Sequence, residues 1–504
     1  MSDLSAREMR TLETNAEYLG ISAVQLMENA GAAVAKEIGK RFPPTKNAVI
    51  YAGVGGNGGD GMVTARHLAS LGFKVTLILV GEPGSIVNNA TKTNWEILRR
   101  LRSSMRLEVM PDSSMFKPTD HEIIVDALIG TGTRGKLSKP LASAVKAINR
   151  SKGFKVSVDI PSGMEADTGE TLGESVKPNL TITFHALKSG MSHREGLLGE
   201  VIVADIGIPP EAGEWCGPGD LLAIDQSRPP DAYKGMFGRL LVIGGSETYS
   251  GAPFFVGQAA MRTGVDLVYI AAPRLTGYVI ASMSPNIIVH KMSGEHLNPG
   301  NLGPIGRLLE RATAIVIGPG LGLHEDTIQA CEQVLKLIQQ HPIPLLIDAD
   351  ALKVFADSGL KMDSPTVLTP HLGEYRTLTG EPPPKDLHLK AEHVKRNAQR
   401  LGTTILLKGA VDVISDGQRT KLNDTGNPGM TVGGTGDTLS GIVGAFLSKG
   451  VEPFTAATCG AFVNGAAGDF AVAERGYHIV ATDVIHHIPK VLEEPMSHLK
   501  VRRA

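Results

Sequence analysis

The chain of 504 residues is longer than a single hydrophobic core supports, so two or three domains are expected, and 42% hydrophobic with 20% charged residues describes a globular protein with ample core. A net charge of -2 without a long basic run argues against nucleic acid or an anionic membrane as partner, and apolar stretches of only strand length argue against a transmembrane helix. Met1 to Arg10 lacks the apolar core of a secretory signal, and three well-separated cysteines (Cys216, Cys331, Cys459) without a CxxC fit a reducing cytoplasm.

In the first half, strands are expected at Ala48–Ala52, Lys74–Val80, Glu122–Leu128, Lys155–Ile160, Leu180–Phe184 and Glu200–Ile206. Helices are expected over Ser22–Arg41, Gly59–Leu71, Ser85–Leu101 and Leu141–Ser151. Continuous rather than alternating hydrophobicity means that both strand faces are buried, as in a parallel, doubly wound α/β sheet. The pattern collapses into Pro, Gly and acids between Pro209 and Pro230, which gives domains 1–220 and 221–504. The same grammar then restarts. Strands are expected at Arg239–Ile243, Leu267–Ala271, Ala314–Ile317, Pro344–Ile347, Thr366–Leu368 and Thr404–Leu407, with Val411–Ile414 as a hairpin partner of the last. Late helices are expected over Thr438–Leu447 and Phe454–Glu474.

The first strand runs into Gly53-Val54-Gly55-Gly56-Asn57-Gly58-Gly59-Asp60-Gly61. This contains a formal G-x-G-x-x-G, with Glu82 after the next strand, so a dehydrogenase competes. Asn57 and Asp60 make the loop more polar than a pyrophosphate turn needs, although Asp60 could simply cap a helix. Ligands of open α/β sheets collect at the C-terminal strand ends. Two more such ends are rich here: Asp126, running into Gly130-Thr131-Gly132-Thr133-Arg134-Gly135-Lys136, and Asp159-Ile160-Pro161-Ser162-Gly163. Asn and Ser oxygens with one carboxylate suit a hard cation, leaving the second carboxylate free for acid–base work.

The most informative segment is Gly426-Asn427-Pro428-Gly429-Met430-Thr431-Val432-Gly433-Gly434-Thr435-Gly436-Asp437. Few side chains intervene before Asp437, so backbone N–H groups can converge where a helix begins, making a phosphate pocket with one carboxylate at its edge.

With these residues in view, the first half resembles the NAD(P)H-hydrate epimerase family through Met27-Glu28-Asn29-Ala30-Gly31, Asn57–Gly61, Asp126–Lys136 and Asp159–Gly163. The resemblance implies a Rossmann-like fold acting on hydrated NADH or NADPH. It implies that Gly56, Asn57, Gly58, Gly59, Asp60, Gly130, Thr131, Gly132, Thr133, Arg134, Gly135 and Lys136 bind substrate. By the same resemblance Asn57, Asp126 and Ser162 hold K+, and Asp159 is catalytic at the reacting end. The second half resembles the ribokinase-like, ADP-dependent NAD(P)H-hydrate dehydratases through ordered blocks that include Tyr233-Lys234-Gly235, Ile317–Gly322, Asp348-Ala349-Asp350, Thr369-Pro370-His371 and Lys408-Gly409-Ala410. Asp266 departs from that pattern. The resemblance implies that ADP is held by Lys408, Gly409, Ala410, Val411 and Asp412 and by Asn427, Pro428, Gly429, Met430, Thr431, Val432, Gly433, Gly434, Thr435 and Gly436. Gly320, His371 and Asp437 would face the hydrated nicotinamide, with Asp437 catalytic and Mg2+ screening the phosphates.

The combined expectation is a bifunctional, cytoplasmic repair enzyme forming a homo-oligomer. It would epimerise the R and S hydrates and dehydrate the S form with ADP, giving AMP and phosphate. A vitamin-type small-molecule kinase fused to a dinucleotide-binding module, and a non-catalytic nucleotide sensor, are the competing readings. Lys408 as a snorkelling strand-end lysine and His371 as a satisfied loop histidine are the bland alternatives at two positions.

Overall fold

The computed structural model describes residues 3–101, 103–132, 135–171 and 173–502. Thr133 and Arg134, two of the expected substrate ligands, lie outside the described residues. The chain divides into two compact units, Met1–Pro210 and Glu211–Ala504. Residues 211–220, expected with the first domain, therefore belong to the second unit. The reason is local packing. Cys216 N–H donates to the Leu422 carbonyl (2.7 Å), and Lys421 Nζ reaches Asp220 Oδ1 (2.6 Å).

In the first unit the described residues form β1 (Asn47–Ala52), β2 (Lys74–Leu79), β3 (Arg106–Val109), β4 (Ile123–Ala127), β5 (Phe154–Val158), β6 (Leu180–Phe184) and β7 (Glu200–Ala204). Their order is β3-β2-β1-β4-β5-β6-β7, and every pairing is parallel. Strands β4 and β6 are buried at every position, matching their unbroken apolar runs. Strand β3 was not expected, because an edge strand carrying Arg106 and Glu108 never shows the apolar run of a central one. Strand order reverses between β1 and β4, and a crevice opens at their C-terminal ends.

The helix after β1 spans Gly56–Ser70, so Asn57 to Asp60 form its opening turn rather than a loop before it. A side chain at Gly58 would overlap the Gly53 carbonyl, so the helix starts tight against its own strand end. The expected Ser85–Leu101 helix is shorter, Asn89–Leu98, capped by Asn88. An unexpected helix, Ala6–Tyr18, opens the chain with a reciprocal Ser5–Glu8 cap.

The second unit adds β8 (Arg239–Ile243), β9 (Leu267–Pro273), β10 (Ile288–Met292), β11 (Ala314–Ile317), β12 (Leu345–Ile347), β13 (Thr366–Leu368), β14 (Thr404–Leu407), β15 (Asp412–Ser415) and β16 (Thr420–Asn423). Their order is β10-β9-β8-β11-β12-β13-β14-β15-β16. Pairing is parallel as far as β14, then antiparallel through the expected hairpin and one further strand. The central helix Thr435–Ser448 is buried from Thr438 onward, and Gly441 lets the backbone of helix Gly251–Arg262 approach it closely. Asp266 has a clear task here. Its carboxylate accepts from the Gly235 and Phe237 N–H groups (2.8 and 3.0 Å) and from Arg228 Nη1 (2.9 Å), fixing the entry to β8.

Candidate active sites

In the first unit a cavity of about 760 Å³ opens at the strand ends, lined among others by Asn57, Asp60, Glu82, Gly130, Thr131, Gly132 and Asp159. Asp159 leaves β5 with φ 68°, a left-handed conformation unusual for a residue with a Cβ. That turn ends the strand earlier than the expected Ile160. A Cβ on Gly130 would stand 2.8 Å from Asp159 Oδ2 and 3.4 Å from Asn57 Cγ, so bare backbone separates the two polar side chains. Gly58 and Gly59 are buried behind this wall, while Gly135 and Lys136 are exposed and outside the cavity lining.

Asp159 is not free, contrary to expectation. Lys188, 1% exposed, lies 2.6 Å from its Oδ1, and the ammonium also donates to Thr183 Oγ1 (2.9 Å) and the Phe184 carbonyl (3.0 Å). Burying a lysine this deeply is tolerated only with such partners. Asp60 is no helix cap but a cavity residue. Desolvation, then the Asp159 and Glu13 carboxylates, push its carboxyl well above the ordinary range, against Lys188.

Beneath the cavity floor, Asp126 is fully buried and accepts from Ser162 Oγ (2.6 Å), Ser162 N–H (2.9 Å) and Ser157 Oγ (2.8 Å). Burial raises its carboxyl and these donors partly offset that. Asn57 departs from good hydrogen-bond accounting, since its buried Oδ1 and Nδ2 both lack a protein partner. An orphaned amide oxygen beside the Gly130 backbone, with serine and carboxylate oxygens on the adjoining strand ends, fits a hard monovalent cation.

In the second unit five chain segments converge at the strand ends. From β12 comes Asp348, 2% exposed, whose Oδ1 lies 3.0 Å from Lys408 Nζ and whose Oδ2 accepts from Ser440 Oγ (2.7 Å). Lys408 follows β14, and its N–H donates to the Pro370 carbonyl (2.9 Å), drawing in the His371 turn after β13. Gly318 follows β11 with φ 127°, and a Cβ there would overlap the Asp348 carbonyl. Gly320 packs on Tyr249 and Ala252. Helix Thr435–Ser448 begins after Gly434 (φ 94°), so its free N–H groups and Asp437 point into the same space. A Cβ on Gly436 would lie 3.6 Å from Lys408 Nζ.

Desolvation, followed by the Asp348 charge, pushes the Asp437 carboxyl up to about 7 despite Lys408. Burial alone would lower Lys408, but Asp348, Glu374 and Asp437 outweigh it and hold the ammonium above its usual value. Lys408 is therefore an ion-paired site residue, not a snorkelling one. His371 does cap a helix: its Nδ1 accepts from the Gly373 and Glu374 N–H groups (2.9 and 3.2 Å), while the ring remains largely exposed.

Some expected nucleotide ligands shape the loop instead of facing outward. Asp412 accepts from Gly409 N–H (2.9 Å) and Asn423 Nδ2 (3.0 Å), closing the Lys408–Asp412 turn. Asn427 Oδ1 accepts from Gly429 N–H (2.9 Å), and its Nδ2 donates to Asp469 Oδ1 (2.8 Å). Asp469 also accepts from Gly426 N–H and faces His498 Nε2 (both 2.9 Å). Thr435 Oγ1 donates to the Met430 carbonyl (2.8 Å), folding Pro428–Met430 against the helix start. Lys188 and Glu13 escaped the sequence reading, and Asp348, quoted there only within the Asp348-Ala349-Asp350 block, was given no role. Asp348 could have been found at the end of an apolar strand, followed by Ala349 at a strained φ of 52°.

Both units match known protein families. The sequence family described as YjeF-related protein N-terminus matches residues 23–190, and the one described as NAD(P)H-hydrate dehydratase matches residues 240–490. Proteins named bifunctional NAD(P)H-hydrate repair enzyme Nnr align over almost the whole chain. That of Pyrobaculum aerophilum is 44% identical over 500 residues, covering 98% of both chains. That of Archaeoglobus fulgidus is 42% identical over 492 residues, covering 98% of this chain and 99% of its own. That of Hyperthermus butylicus is 40% identical over 499 residues, covering 98% and 93%. With two built sites, two matching families and relatives of matching length, this chain belongs to the bifunctional NAD(P)H-hydrate repair enzymes.

Proposed function

We infer that the first unit interconverts the R and S hydrates of NADH and NADPH, and that the second dehydrates the S form with ADP. The observation that carries this is Asp437, a carboxyl raised to about 7 at a helix N-terminus, beside the buried Asp348–Lys408 pair. A helix start and an ammonium hold phosphoryl oxygens, and a carboxylate there works on an alcohol.

Asp437 accepts the proton of the ring hydroxyl, whose oxygen attacks the terminal phosphorus of ADP. The bond to the bridging oxygen breaks and AMP leaves. The new phosphate ester then departs with the carbon–oxygen electron pair, and loss of a proton from the neighbouring carbon restores the dihydronicotinamide double bond. Lys408 and the N–H groups around Gly434 to Gly436 stabilise the charge on the moving phosphoryl group. Among the described residues no group of three His, Cys, Asp or Glu donors lies at Asp437, so Mg2+ would take its ligands chiefly from phosphate oxygens and water. Bound there, it would neutralise phosphate charge. In the first unit, K+ would be held by Asn57, Asp126 and Ser162 and would organise the cavity floor. Asp159, oriented by Lys188, would act at the hydroxyl-bearing carbon.

Mixed epimers supplied with ADP test the reading through recovery of reduced-nicotinamide absorbance. Full recovery with release of inorganic phosphate is expected, and Asp159→Asn should halt it near half. A stable phosphorylated alcohol without phosphate release would replace the dehydratase by a small-molecule kinase. No recovery at all would refute the dehydratase assignment.

A further inference from the structure

Helix Ala6–Tyr18 places Met9, Arg10 and Glu13 in the wall of the first cavity, one face of the helix at i, i+1 and i+4 spacing. The helix is tied to the other catalytic-site residues. Leu4 N–H donates to the Leu187 carbonyl, and Ser189 N–H donates to the Leu4 carbonyl (both 2.9 Å), so two backbone bonds bracket Lys188. Ala6 N–H also donates to Asp167 Oδ1 (2.6 Å). Lys188 in turn holds Asp159. Helix, lysine and aspartate are one mechanical piece.

We propose that Glu13 is a second catalytic acid–base group of the epimerase, paired with Asp159 across the hydroxyl-bearing carbon of the substrate. The proposal rests on the epimerase reading of this cavity. Among the described residues no hydrogen bond engages the Glu13 carboxyl, which water reaches from the cavity. Desolvation and the Asp159 charge push it up to about 7, against Lys188 and Arg10, and it in turn raises Asp60. Glu13 and the lysine-paired Asp159 thus line the same cavity as two carboxyl groups in different surroundings.

The chemistry needs two such groups. One carboxyl gives its proton to the departing hydroxyl. The carbon–oxygen bond breaks, its electron pair leaves with water, and the ring nitrogen's lone pair forms a carbon–nitrogen double bond. Water then adds from the opposite face, the double-bond pair returns to nitrogen, and the second carboxylate takes the surplus proton. One proton is given and one is taken, so nothing else is consumed. The reverse inversion exchanges the two roles, which one group confined to one face cannot serve.

The test follows inversion of a single purified epimer by the full-length chain without ADP, using chromatography, for Glu13→Gln, Glu13→Asp, Asp60→Asn and Asp159→Asn. Expected for Glu13→Gln is a kcat loss on the order of 100-fold, with KM within about threefold of wild type. Its ADP-dependent dehydration should be unchanged, and the wild-type pH dependence near 7 should vanish. Glu13→Asp should recover part of the rate, which a merely structural loss would not. A Glu13→Gln kcat close to wild type, or a change in KM alone, overturns the proposal, as does a rate collapse confined to Asp60→Asn. If Asp159→Asn is also fully active, the cavity is not the epimerase centre, and that earlier assignment is what has failed.

Discussion

At the scale of single residues, the second site is governed by one charge balance: Asp348 and Asp437 against Lys408. Asp437 must be ionised to accept a proton, and its raised carboxyl is ionised only above about 7. Dehydration should therefore increase with pH through that region, read as kcat/KM between pH 5.5 and 8.5 at saturating ADP. A flat profile would mean that another group takes the proton. Asp437→Asn should lower kcat by on the order of 1,000-fold while leaving epimerisation intact. The sign for stability is opposite. A buried carboxyl whose folded value lies above its unfolded one destabilises the fold once pH exceeds the unfolded value. Asp437→Asn should thus melt no lower than wild type at pH 8, by calorimetry. The site keeps a charge that stability alone would discard.

At the scale of elements, the central parallel strands and the Gly-rich segments at their C-terminal ends could be read directly from unbroken apolar runs and from glycine clusters. What could not be read was what long-range packing decides. Lys188 and Asp159 are far apart in sequence and meet only through strand order, and helix Ala6–Tyr18 is too polar to advertise a buried face. The helix boundary at Gly56 was missed because glycines there serve close packing, whereas propensity counts them against a helix. The domain limit was misplaced by residues 211–220, whose Pro- and Gly-rich surroundings hide a packed segment. This has a measurable consequence. A fragment beginning at residue 221 removes Asp220 and leaves Lys421 half of a nearly buried pair, a loss of about 3 kcal/mol. It should melt several degrees below a fragment beginning at residue 211; equal melting would show that residues 211–220 are dispensable.

At the scale of the whole molecule, each unit carries its own strand-end site, with its own charges. Replacing K+ by a large organic cation should slow epimerisation and leave dehydration unaffected, measured on the same preparation. Equal indifference of both activities would remove the cation from Asn57, Asp126 and Ser162. The two sites also differ in when they can be finished. His498 closes a hydrogen-bonded chain through Asp469 to Asn427 and Gly426. A ribosome that has delivered everything through Glu494 has made the first unit and every described strand of the second sheet, yet has not supplied the imidazole that braces the Gly-rich loop before helix Thr435–Ser448. The first site draws only on residues of its own unit, so it can be complete before the loop of the second site is braced.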